Sequence, residues 1–86
     1  MTTFPLPLIS SQDYTAFRCV LGSHLPPTFY EWLYLHLMEA EDIVAGGHTV
    51  QDIGVCALDF AGYCCSTKTP CDLTNLAQFT RKLATH

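Results

Sequence analysis

The chain has 86 residues, 49% of them hydrophobic and only 14% charged, with four Lys or Arg against eight Asp or Glu and a net charge of −4. This length supports a single domain that buries about 60–65% of its unfolded surface. So few cations argue against a phosphate-binding footprint, and therefore against nucleic acid or an anionic membrane surface as a partner.

A charged share well below the usual ~25% leaves apolar area either exposed or covered by association. No apolar run approaches the ~20 residues that a bilayer span requires. The opening MTTFPLPLIS has no basic leader before an apolar block, so it does not resemble a secretion signal, and a cytoplasmic protein is expected. Five cysteines, an odd number, then read as reduced thiols, none of them paired.

Residues 1–9 are expected to form an extended arm. Pro5 and Pro7 fix φ and remove two donors, while Phe4, Leu6, Leu8 and Ile9 need a surface to lie on. Ser10 is placed as an N-cap, with Asp13 completing a shortened capping box and Ile9 and Tyr14 as a hydrophobic staple. A first helix should then run to about Leu21, with Tyr14, Phe17, Val20 and Leu21 inward and Gly22 as its stop.

After the turn SHLPP, Thr28 and Glu31 make a clear capping box, and Pro27 and Trp32 stand at staple positions. They open one long helix over residues 28–46, closed by Gly46 and Gly47. At 3.6 residues per turn its main stripe is Phe29, Trp32, Leu33, His36, Leu37, Ala40, Ile43 and Val44, while Tyr30, Tyr34, Leu35 and Met38 point elsewhere. A helix apolar on two sides needs two coverings. The second is supplied either by Phe4, Leu6 and Leu8 of the arm or by another chain.

His36, inside the main stripe, reads as a core residue whose ring nitrogens find backbone or Tyr partners; the sharper reading is a pH-sensitive interface contact. Glu31, Glu39, Glu41 and Asp42 spread around the helix and read as a solvated face.

The segment HTVQDIGV, residues 48–55, is β-branched with imperfect alternation and predicts one short extended stretch. It has three options: the arm, a copy of itself, or no partner. From Ala57 to Cys65 a short helix is expected with Leu58, Phe60, Ala61 and Cys64 inward, weakened by roughly 1 kcal/mol at Gly62. After the loop STKTP a last helix starts with either Thr69 or Asp72 as its cap. Leu73, Leu76, Phe79 and Leu83 form its stripe, and Arg81 and Lys82 complement its dipole. The fold class is therefore mostly α: one compact domain, 1–86, of about four helices around a long central helix, with one short extended segment and an N-terminal arm.

Cys56, Cys64, Cys65 and Cys71 crowd into sixteen residues with His48 upstream, and thiolate and imidazole are zinc's preferred ligands. Against zinc, there is no C-x-x-C knuckle, and adjacent Cys64 and Cys65 diverge by about 100° on a helix. A thiol or metal protein using His48, Cys56, Cys64 and Cys71 is kept as the alternative function. Nothing local selects a catalytic Cys–His pair, and no nucleophile elbow, phosphate loop or dinucleotide motif occurs, so no catalytic residue and no cofactor is assigned.

The stretch PLISSQDYTAFRCVLGSHLPPTFYEW, together with DLTNLAQFTRKLA, resembles short uncharacterised bacterial proteins that carry IS-x-x-DY-x-AF and then LP-x-T-Y-x-EW before the second helix. The resemblance covers most of the chain and implies a single mostly helical domain. It brings no function, ligand or catalytic residue.

The role that the residues favour is a small, acidic, non-catalytic cytosolic protein–protein interaction module. Tyr30, Tyr34, Leu35 and Met38, residue types suited to protein contacts, are its expected interface, most simply that of a homodimer.

Overall fold

A computed structural model describes residues 2–85. The elements are β1 (Thr3–Leu8), α1 (Tyr14–Leu21), a single 3-10 turn (Gly22–His24), α2 (Phe29–Ala45), β2 (Thr49–Gly54), α3 (Ala57–Thr67) and α4 (Leu73–Ala84). The domain is mostly α, with one small parallel sheet in which Thr3 stands beside Thr49 and Leu8 beside Gly54.

The expected arm is thus a paired strand. The ladder shows why two prolines permit this. Thr49 N–H donates to Thr2 O and Val55 N–H to Leu8 O, so the even-numbered residues of β1 turn their backbone groups toward β2. Pro5 and Pro7 fall on the outer edge, where a missing N–H costs no ladder bond. Of the two partners that the 48–55 segment has within the chain or a copy, the arm is the one it takes.

The core is centred on Phe17 of α1 and Phe60 of α3, both fully buried, with ring centroids 6.3 Å apart. Phe79 of α4 lies 5.8 Å from Phe60, and Ile9, Tyr14, Leu21, Leu25, Val55 and Leu76 close around them. Helix α1 packs on α3, α4 on β1 and α3, and α2 on β2.

Helix α2 is the longest element, but it is not the hub. Only Trp32 and His36 of its seventeen residues are buried. Leu37 and Val44, assigned inward by periodicity, are 56% and 59% exposed, and in α3 Leu58 is 80% exposed. Leu73 and Leu83 at the two ends of α4 are also exposed, leaving Leu76, Phe79 and Thr80 as its buried side. A two-stranded sheet is too narrow to cover a wide helical stripe, so much of the apolar face of α2 has nothing above it.

The helix starts are held by side chains. Thr28 Oγ1 accepts from Glu31 N–H at 3.2 Å, and Asp72 Oδ1 from Asn75 N–H at 2.9 Å, which settles the start of α4 on Asp72. Ser10 Oγ accepts from Asp13 N–H at 3.2 Å, but α1 itself begins only at Tyr14. The Asp13 carboxylate accepts instead from Ala57 N–H at 2.7 Å. It caps α3, whose own N-cap residue, Cys56, offers no side-chain bond.

Two helices end in the same double hydrogen-bonded reversal. At the end of α2, His48 N–H donates to Ile43 O and Gly47 N–H to Val44 O, with Gly47 at φ +86°. At the end of α3, Thr69 N–H donates to Cys64 O and Lys68 N–H to Cys65 O, with Lys68 at φ +57°. Glycine takes this left-handed position without steric cost, and lysine does not.

Candidate interaction surface

The four residues singled out on α2 all stand in solvent: Tyr30 is 79% exposed, Tyr34 62%, Leu35 56% and Met38 42%. Tyr30, Tyr34 and Leu35 share a shallow hollow of about 450 Å³ with Pro26 and Glu31, and no residue of β1 reaches it. β1 lies in the sheet, with Leu6 buried toward the core, and so leaves the tyrosines uncovered. Leu37 and Val44 lie between and beyond them on the same side of the helix, so the apolar surface is wider than the sequence reading gave. Glu41 is the acidic residue within that row, since it falls one turn beyond Leu37 and Met38.

On its other side α2 borders a larger groove of about 580 Å³, closed by β1 and α4. Leu6, Leu25, Trp32, Leu35 and Leu76 form its apolar wall, and His36, Glu39 and Arg81 supply its polar groups. Sequence periodicity placed His36 inside correctly but not its partner. His36 Nε2 lies 3.0 Å from Asp52 Oδ1 of β2, and its ring stacks on Trp32 at 5.0 Å, in place of the expected backbone or Tyr contact. No sequence signal points to Asp52, which is sixteen residues away on another element. A histidine steered by a carboxylate is two thirds of a nucleophilic triad, but no Ser, Thr or Cys lines this groove. The contact ties α2 to β2.

The proposed metal ligands are not assembled. His48 accepts from Thr2 N–H through Nδ1 at 3.3 Å and sets its ring edge-on to Phe4 at 5.1 Å. Cys56 is exposed at the start of α3, whereas Cys64 is buried at the other end of that helix. Among the described residues no three His, Cys, Asp or Glu side chains are grouped as an ion requires. Cys64 and Cys71 alone come together. Burial, and then the neighbouring Cys71, push the Cys64 thiol up to about 11.

Among the described residues no helix is long and apolar enough to cross a membrane. No family model, curated protein or solved structure matches the chain.

Proposed function

We propose that this protein is a small non-catalytic interaction module of the cytoplasm that associates with a second copy of itself through the outer face of α2. The observation that carries the reading is the exposed row Tyr30, Tyr34, Leu37, Met38 and Val44 on a single helix. Six large apolar side chains of α2, counting Leu35, stand in water in a chain with few charges to keep it apart from its neighbours. Tyr and Met are enriched at protein contacts, and Tyr supplies a broad ring with little rotamer entropy to lose. A partner helix laid along this row covers it; β1 does not.

Sedimentation equilibrium tests this reading directly, with a concentration-dependent dimer expected for the wild type. Tyr34→Glu with Met38→Glu places two carboxylates on exposed positions, so the fold is retained and a monomer results. A wild-type protein that stays monomeric at several hundred micromolar would overturn the proposal.

A further inference from the structure

The reversal that ends α3 turns the segment that carries Cys71 back past Cys64. Lys68 in its left-handed conformation, with Thr69 N–H bonded to Cys64 O at 3.0 Å, turns the chain back along the last turn of the helix. Pro70 and Cys71 therefore run past Cys64. The Pro70 carbonyl is held from two directions, by Cys64 Sγ–H at 3.8 Å and by Asn75 Nδ2–H at 2.9 Å. Cys71 comes next, half-buried and packed against the apolar cluster that contains Cys64, one residue beyond the carbonyl that the Cys64 thiol reaches. Asp72, capping α4, fixes the chain on the far side of Cys71.

We propose that Cys64 and Cys71 form a dithiol that closes to an intrachain disulfide when the protein meets a small disulfide such as oxidised glutathione, clasping the end of α3 to the start of α4. The inference goes beyond self-association and does not depend on it.

The exchange balances in two steps. Cys71, the more accessible sulfur, attacks one sulfur of the oxidised glutathione as its thiolate; a Cys71–glutathione bond forms, the glutathione S–S bond breaks, and one glutathione thiolate leaves and takes a proton. Cys64 then releases its proton to solvent and attacks the Cys71 sulfur, expelling the second glutathione. The two cysteines give up two electrons and two protons, and the small disulfide receives both. The elevated Cys64 thiol, about 11, keeps this residue protonated at neutral pH, so it enters second and the closing step quickens as pH rises. Cys65 is next in sequence but exposed, turned about 100° around the helix from Cys64. Cys19 and Cys56 are exposed on other parts of the fold.

The test is intact mass and peptide mapping of the full chain after treatment with oxidised glutathione and alkylation of the remaining thiols. Trypsin cuts at Lys68, between the two cysteines, and Cys71 is the sole cysteine between Lys68 and Arg81, so the bond appears as two peptides joined only through sulfur. The joined pair is expected in the wild type and in Cys65→Ser. It should be lost in Cys71→Ser, while Cys64→Ser should stop with one glutathione on Cys71. Should Cys64→Ser not fold, fragmentation of the joined peptides from the wild type decides, because residues 19–68 also hold Cys19, Cys56 and Cys65 and only a bond on Cys64 fits the proposal. A joined pair that disappears in Cys65→Ser, or glutathione adducts on the wild type with Cys64 and Cys71 both left unlinked, would overturn the proposal.

Discussion

His36 on α2 and Asp52 on β2 meet through Nε2 and Oδ1 at 3.0 Å, the imidazole buried and the carboxylate half in water. Asp52 stands beside Leu6 in the sheet register, so this one contact joins the longest helix to both strands. It matters because α2 buries so little else. Asp52→Ala leaves a buried ring nitrogen without its partner, and we expect a loss of about 1–2 kcal/mol in urea unfolding. Asp52→Asn keeps an oxygen in place and should lose less. An unchanged midpoint in Asp52→Ala would mean that Trp32 packing alone holds α2.

Asp13 works across the domain, not along its own helix. Its carboxylate satisfies Ala57 N–H at 2.7 Å, so Asp13→Ala should destabilise the fold by about 1 kcal/mol, the usual worth of an N-cap. Hydrogen exchange distinguishes this from loss of a local cap. The faster amide should be Ala57 in α3, with no matching change in the first turn of α1.

Lys68 holds a conformation that suits glycine, and the cost of its Cβ there is about 1 kcal/mol. Lys68→Gly removes that cost and loosens the unfolded chain in exchange, so a net gain of about 0.5 kcal/mol is expected. Equilibrium unfolding with an unchanged slope is the measurement, and a loss of stability would mean that the lysine side chain contributes to the turn.

Leu58 and Phe60 lie two residues apart on α3 with opposite fates. Phe60→Ala opens a cavity against Phe17 and Phe79 and should cost about 3–5 kcal/mol, a large part of the stability of so small a domain. Leu58→Ala, at a residue 80% exposed, should stay within about 0.5 kcal/mol. Comparable losses at the two sites would show that Leu58 is covered in solution.

Alkaline pH should weaken the fold. Burial raises the Tyr14 phenol above its ordinary 10.0, with Arg18 partly opposing, and its hydroxyl donates to Pro26 O at 2.6 Å. Cys64 is raised from 9.0 to about 11. Both groups hold their protons more tightly folded than unfolded. Their stabilisation is therefore complete below the unfolded values and is lost as pH rises through the folded ones. Urea midpoints should be level near pH 8 and fall from about pH 9 upward, and Cys64→Ala should flatten the early part of that fall.

The parts of this fold legible in the sequence are those fixed within a few residues. The Thr28 cap, the glycine stop after α2, and the inward Phe17, Phe60, Leu76 and Phe79 all follow from local hydrogen bonding and helical period. The misreadings share a cause. Leu37, Val44 and Leu58 lie on correctly placed helices, but a period tells which side chains share a face and not whether anything is packed against it. The bonds of Asp13 and Asp52 were invisible because each spans elements far apart in sequence.

By itself, then, the chain determined a mostly helical domain with few charges, the start and stop of α2, and an α2 too apolar for one covering, because those properties reside in composition and in contacts three or four residues apart. Only the tertiary structure decided that residues 3–8 pair with 49–54, that the core sits between α1 and α3, and that Tyr30 and Tyr34 stay open to water. Burial depends on where the other elements lie, and a two-stranded sheet with prolines on its outer edge covers one side of α2 and no more.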